Sequence, residues 1–526
     1  MSTNKLIQNL QNPALYDHPI TTFKVIETHI SWVILTGEFA YKIKKPVDFV
    51  FLDFSTLEKR HFYCHEELRL NKPNAPSVYL DVVTIHGDEE NPSLNGTGPV
   101  IEYMLKMREF SQDLLFSQLL TKQLLTREHI MQLAKKLGEI HLQANLNGPA
   151  TLGTVEQVHQ PVVQNFDQCL PFLHQSADLV QLDELRNWAN KQHQILTPVF
   201  VTRKELGFIR ECHGDLHLGN IALLNGQPTP FDCIEFNEPF RWTDVMADVG
   251  FLLMDLHDKG RIDFANCFLN SYLAVTGDYL GLPILRYYHA YRAMVRAKVA
   301  LFSMPSEESS ISDRDNLLLP YRRYTALAEQ DMHVSPPFML ITHGLSGSGK
   351  STLAQKIVEQ LGSIQIRSDV ERKRLAGLNA QARNNAAVNS ALYSPDNNAN
   401  TYTQLANLAQ EIIQAGYSVI VDATFLLQSE RQQFQALAAS LQVPFAILHC
   451  HAPEERLQTI VERRAKSGKD ASEANLEVLT MQQDKVQGLT EEEQHYTVTV
   501  DTSLMVKSKE AVEELVEKVQ KVCGLK

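Results

Sequence analysis

The stretch "GLSGSGKS", residues 344–351, limits more than any other what this chain can fold into. It fits G-x-x-x-x-G-K-[ST] and lies between the apolar run "FMLIT" (338–342) and the helical pattern "STLAQKIVEQLG" (351–362). Gly344, Gly347 and Gly349 let backbone N–H groups approach phosphate oxygens at a helix N-terminus, where the helix dipole already favours an anion. Lys350 would reach the β- and γ-phosphates of ATP or GTP, and the Ser351 hydroxyl would ligate Mg²⁺. Ser348 and Thr352, in the same turn, join them as nucleotide-contacting candidates. A strand, this turn and a helix in sequence predict an α/β unit whose parallel sheet is flanked by helices.

Three later segments add chemistry to that unit. "QIRSDVERKR" (365–374) places Asp369 at the end of a short strand, with Arg367 and Arg372 beside it. A carboxylate there suits proton acceptance from a substrate hydroxyl, and the arginines suit an anionic group. Asp369 would also serve as an N-cap for the helix that follows. "GYSVIVDATF" (416–425) ends a buried strand on Asp422, a carboxylate placed for the Mg²⁺ water shell. "ERLQTIVERRAKSGKDAS" (455–472) offers Arg463 and Arg464 as a lid over phosphates, or as a solvated helix face. "GLNAQARNNAAVNSALYSPDNNANTY" (377–402) reads as an insertion without an apolar stripe. Together these segments resemble the small P-loop kinases that include polynucleotide 5′-kinases, zeta-toxin-type kinases and gluconate kinase, over about residues 338–505. The resemblance implies an α/β P-loop NTPase domain with Asp369 as general base and Arg372 on a substrate phosphate.

A second constellation begins at "CHGDLHLGN" (212–220). Asp215 precedes Asn220 by five residues, a spacing that suits phosphoryl transfer: the Asp takes the proton of the attacking hydroxyl and the Asn holds Mg²⁺. "PFDCIEF" (230–236) sets Asp232 at the end of an apolar strand as a second metal ligand. Upstream, "AYKIKK" supplies Lys42 and Lys44 on one face of a strand. Either can pair with phosphates and with a glutamate of the next helix, Glu66 or Glu67, with Glu67 the expected site residue. Ser55 is the expected N-cap of that helix, with Glu58 completing a capping box. These residues resemble the aminoglycoside phosphotransferase family, a branch of the protein-kinase-like fold, over roughly residues 20–330. The resemblance implies an α+β bilobal domain, Asp215 as catalytic base, Asn220 and Asp232 as Mg²⁺ ligands, and Asp248 bracing the catalytic loop. Lys42 matches the phosphate-binding lysine better than Lys44, because "AYK" repeats the Ala-x-Lys of the kinase strand. No G-x-G-x-x-G precedes it, so the turn near "ETHIS" (27–31) would cover the phosphates.

Two such sets of equipment in 526 residues require more than one domain. "HVSPP" (333–337) reads as a linker, which divides the chain into 1–335 and 336–526. The net charge of -13 argues against a broad nucleic-acid footprint, so a small-molecule acceptor is favoured over a nucleic-acid end. Seven scattered cysteines without a CxxC pair suggest neither disulfides nor zinc and fit a reducing cytoplasm. No apolar run is long enough to span a bilayer. The sequence thus reads as a fused bifunctional ATP-dependent phosphotransferase. The alternative keeps the N-terminal domain as a nucleotide-sensing regulatory module and leaves catalysis, toxin-like or otherwise, to the P-loop domain.

Overall fold

The computed structural model describes residues 5–49, 52–146, 148–304, 315–378, 395–467, 475–503 and 509–525. Packing divides the chain into two units. Unit 1 is Met1–Lys136, Ile140–Pro171 and His193–Asp255; unit 2 is Leu137–Glu139, Phe172–Gln192 and Leu256–Lys526.

In unit 1 the β-type runs form a six-stranded antiparallel sheet. Its spatial order is Lys24–Glu27, Ser31–Leu35, Phe39–Lys44, Val100–Arg108, Tyr79–Gly87 and Pro92–Leu94. Alternation along Phe39–Lys44 sorts its side chains. Phe39, Tyr41 and Ile43 join Ile34, Val83, Ile85 and Met104 in one apolar cluster, which Leu6, Ile7 and Leu10 of the N-terminal segment also enter. Each such residue stabilises the fold by roughly 1.5–3 kcal/mol when buried. That packing fixes the strand's facing and leaves Lys42 and Lys44 on the opposite face. Helix Leu57–Asn71 supplies their partner. Its N-cap is Thr56, whose hydroxyl accepts from the Lys59 N–H at 3.3 Å, and not Ser55 as the sequence suggested. Ser55 instead turns back to Asp53, accepting no helix donor.

Unit 2 holds a five-stranded, fully parallel sheet in the order Ile364–Arg367, Val419–Asp422, Met339–His343, Phe445–His451 and Thr497–Asp501. Every residue of Met339–His343 and Val419–Asp422 is buried, as expected of strands covered on both faces. Leu340, Leu353, Ile357, Ile420, Leu448 and Val519 tie the sheet to helices Lys350–Leu361 and Lys509–Val522. Strand Ile364–Arg367 lies at the sheet edge, and helix Ile262–Thr276 closes it. There the Asn270 side chain behaves as a short strand: its Nδ2 donates to Ser363 O at 3.0 Å and its Oδ1 accepts from Gln365 N at 2.6 Å. Asn266 Nδ2 donates to Glu359 O, and Arg286 of helix Leu282–Phe302 donates to Ala415 O and Gly416 O. A sheet edge with unmet backbone groups is thereby covered.

Among the described residues no helix is long and apolar enough to cross a membrane. All seven cysteines are buried, and no disulfide joins them.

Because Asn270 satisfies a buried backbone donor, Asn270→Ala is expected to destabilise unit 2 by about 1–3 kcal/mol. A lower urea midpoint for the unit 2 transition in the full chain would show it; an unchanged midpoint would mean that the edge strand needs no cover.

Candidate active sites

In unit 1 the loop after strand Ile209–Glu211 carries "CHGDLHLGN". Two aspartates of helix Val245–Asp258, seven residues and thus about two turns apart, hold it from one side. Asp248 accepts from the N–H groups of His213 and Gly214 at 2.8 and 2.9 Å, and Asp255 accepts from Leu218 N at 2.8 Å. Gly214 sits at φ 83, in the left-handed region, with Phe240 O 3.0 Å from where a Cβ would lie. So shaped, the loop leaves Asp215 half-exposed. Asn220 Nδ2 donates to both Oδ2 and the backbone O of Asp215, at 3.1 and 3.0 Å, and its own carbonyl oxygen remains as the atom suited to a cation. His217 Nε2 lies 3.5 Å from Asp215 Oδ2.

Asp232 follows a short strand and takes φ 63, a left-handed backbone uncommon for a non-glycine residue, though Asp tolerates it better than most. Its N–H donates to Tyr79 Oη at 3.1 Å, and the Cys233 N–H donates to Asn71 Oδ1 at 3.0 Å. Asn71 in turn donates to Glu67 O, so the segment bearing Asp232 is bound to the helix bearing Glu67. Lys42 Nζ donates to Glu67 Oε1 at 2.8 Å and to Asp232 Oδ1 at 2.9 Å. Lys44 Nζ donates to Glu67 Oε2 at 2.7 Å and to Glu235. Both lysines, Glu67 and Asp232 therefore meet in one cluster. Glu66 faces elsewhere and pairs with Arg69 and Arg241.

Burial alone would push the Glu67 carboxyl up, but Lys42 and Lys44 outweigh it and draw it down to about 2. The Glu235 carboxyl is pushed up by burial, with Lys44 opposing. Burial works against the Lys42 ammonium too, and Asp232 and Glu67 overcome it and raise it.

In unit 2 the glycine loop follows strand Met339–His343. Gly344, Gly347 and Gly349 all lie at positive φ (139, 84 and 84). A Cβ on Gly344 would sit 2.2 Å from Cys450 O, and one on Gly347 2.9 Å from Leu457 O. No side chain fits this cradle, which leaves its backbone for an anion at the N-terminus of helix Lys350–Leu361. Lys350 Nζ donates to Gly344 O and Leu345 O at 2.8 and 2.7 Å, and Ser348 Oγ lies 3.5 Å from it. Burial pulls the ammonium below its ordinary range, while Asp422 acts against this and Arg464 adds to it. Ser351 is half-buried and Thr352 exposed, both in the helix's first turn.

Asp422, 4% exposed, ends its strand and accepts from Gln365 Nε2 at 2.9 Å; Arg367 Nε lies 3.6 Å from it. Arg372 Nη1 donates to Asp369 Oδ1 at 3.0 Å and its Nη2 to Asn398 Oδ1 at 3.0 Å. Asp369 lies inside helix Ser368–Leu375, whose N-cap is Arg367, so the cap role considered for Asp369 is not the one it takes. Asn398 belongs to helix Pro395–Gln414, and Thr401 and Tyr402 beside it are buried. The end of the expected insertion is thus an ordered helix; residues 379–394 lie outside the described residues. On helix Glu454–Ser467 Arg463 is exposed and Arg464 half-buried, and the lid residues 468–474 also lie outside them.

The sequence reading missed Glu235, Asp255, Asn398 and Gln482. Glu235 stands within the quoted "PFDCIEF", and Asp255 shares a helix face with Asp248, so both had a spacing signal. Gln482, whose Oε1 accepts from Ser346 N in the glycine loop at 2.8 Å, had none.

The donor sets suit Mg²⁺. Asn220 and Asp232 in unit 1, and Ser351 and Asp422 in unit 2, present the oxygen ligands that this hard cation takes.

Residues 339–489 match a family model described as an AAA domain. Uncharacterized proteins of Mycobacterium tuberculosis and Mycobacterium bovis are 29% identical to the chain over 464 residues, 86% of this chain and 89% of theirs. Among solved structures, a gluconokinase from Sinorhizobium meliloti is similar over 36% of this chain and 95% of its own, at 20% identity and a TM-score of 0.27. The amicoumacin kinase hAmiN, in complex with AMP-PNP, is similar over 59% of this chain and 88% of its own, at 14% identity and a TM-score of 0.37.

Gly344→Ala combines a left-handed backbone with a clash against backbone oxygen. It should cost about 2–4 kcal/mol and abolish nucleotide binding at the loop, as seen by chemical denaturation and equilibrium dialysis. For Glu67, whose carboxyl is lowered from 4.5 to about 2, the stability it contributes is present above the ordinary value and lost as pH falls through that interval. Glu67→Gln is expected to lessen the fall in stability over this acid range in a circular-dichroism titration.

Proposed function

We propose that the chain is a bifunctional ATP-dependent phosphotransferase, with one site in each unit moving the γ-phosphoryl group to a hydroxyl of a small molecule. The observation that carries this reading is the convergence of Lys42, Glu67 and Asp232 in unit 1, whose Asp215 and Asn220 are themselves hydrogen-bonded to one another. The two sets lie on neighbouring segments, since the Phe231 N–H donates to Asn220 O at 3.0 Å, and this supports reading them as one site.

In unit 1 Asp215 takes the acceptor's hydroxyl proton as that oxygen bonds to the γ-phosphorus and the bond to the β-phosphate oxygen breaks, releasing ADP. Lys42 offsets phosphate charge. Asn220 and Asp232 would hold Mg²⁺, which when bound neutralises charge that develops between the β- and γ-phosphates. In unit 2 the glycine loop and Lys350 bind the phosphates of ATP or GTP, and Ser351 and Asp422 would hold the cation. Asp369 is the base, Arg372 an anchor for an anionic acceptor, and Arg464, with Arg463 beside it, stabilises transferring charge. A net charge of -13 favours small acceptors over a nucleic-acid end.

The test is incubation of the full chain with γ-labelled ATP, Mg²⁺ and a metabolite extract, comparing wild type with Asp215→Asn and Lys350→Ala. Two labelled products are expected, one lost in each variant, each by at least a hundredfold. If Asp215→Asn left every product in place, unit 1 would not be an enzyme and would revert to a regulatory role.

A further inference from the structure

Two lysines point into the unit 1 site, but their surroundings differ. The Lys42 side chain is 15% exposed and faces Asp232, itself 43% exposed, at the open side of the cluster. Lys44 is 1% exposed; its ammonium donates to Glu67 and Glu235, which are 0% and 4% exposed, and lies 4.8 Å from the centre of the buried Phe54 ring. A phosphate oxygen would have to displace a buried carboxylate to reach it. When Lys42 turns toward a phosphate it weakens its hold on Glu67, and a buried carboxylate left without a cation is strongly disfavoured. Lys44 occupies the other oxygen of that same carboxylate.

We propose that Lys44 and Glu235 are positioning residues: a fixed second ion pair that keeps Glu67 charged and in place while Lys42 serves the nucleotide. The inference rests on the nucleotide reading of unit 1. Glu235 is also fixed through its backbone, since Arg241 Nη1 donates to Glu235 O at 3.1 Å.

The experiment uses the full chain carrying Lys350→Ala, so that the P-loop does not contribute, titrated with methylanthraniloyl-ATP and Mg²⁺. Lys42→Met is expected to weaken binding at least a hundredfold. Lys44→Met/Glu235→Leu removes both partners of the buried pair, so its unfolding midpoint should stay near the parent's while binding weakens about tenfold. Binding to that variant should also take up a proton, because Glu67, once Lys42 leaves it, has no cation to hold it ionised. Calorimetry in buffers of different ionisation enthalpy reads this directly; a pair that only stabilises the fold would not move it. Should the double variant fail to fold, Glu235→Gln, which removes a charge and no volume, is read the same way. Parental affinity without proton uptake would overturn the proposal. So would loss of binding as complete as in Lys42→Met at an unchanged midpoint, because Lys44 would then touch phosphate. Undiminished binding by Lys42→Met would instead overturn the nucleotide reading of unit 1.

Discussion

Glu67 is a carboxylate with no solvent exposure, and its charge is what the unit 1 site is arranged around. A buried anion survives only where cations and donors replace its water. Lys42 and Lys44 do so from one strand, and the demand spreads outward. The strand must keep both lysines on the face opposite its apolar cluster. Helix Leu57–Asn71 must stand at the right height, and Asn71, one turn beyond Glu67, must tie that helix to the segment holding Asp232 and Glu235. Sheet, helix and the segment of Asp232 and Glu235 are thereby bound by one electrostatic requirement.

Unit 2 meets the opposite problem. Its loop must present backbone donors to an anion without side chains in the way, and its strands leave no room: the Cβ of any residue but glycine at 344 would enter a neighbouring strand's carbonyl. The cation that belongs to the loop, Lys350, is held on the loop's own carbonyl oxygens. The same unit covers its edge strand with Asn270, whose bond to Gln365 N steadies the residue whose side chain donates to Asp422. Helix Ser368–Leu375, bearing Asp369 and Arg372, is also held from the far side. Arg374 donates to Ala274 O, and Tyr279 Oη donates to Glu371. Residues 262–279 thus support helix Ser368–Leu375 of the P-loop unit, although they lie some sixty residues or more before the strand Met339–His343.

Much of this was legible in the chain. Glycine spacing, the separation of five positions between Asp215 and Asn220, and the alternation around Lys42 and Lys44 reflect local geometry, and local geometry is written locally. The helix start was misplaced by one residue because Ser55 and Thr56 are both good caps, and the choice fell to Asp53, which takes the Ser55 hydroxyl. The segment around Asn398 reads as an insertion because its Asn-rich pattern gives no stripe; its helix instead buries Thr401 and sets Tyr402 against Phe425. Glu235 stands three residues after Asp232 in the same short segment, but that Lys44 meets it follows only from the fold.

By itself the sequence determined the two motifs, at 212–220 and 344–351, the residue types that each can use, and the β-then-α and α/β character of the regions that carry them. These follow from spacing along a strand, turn or helix, where neighbours in sequence are neighbours in space. Only the tertiary structure decided which glutamate meets the lysines, that Lys44 is sealed by Glu235 while Lys42 faces Asp232, and that Asn270 completes the edge of the P-loop sheet. Those partners are separated by between 23 and 191 positions. Their meeting depends on how buried charge and unmet backbone groups are satisfied across the whole fold, and no window of sequence records that sum.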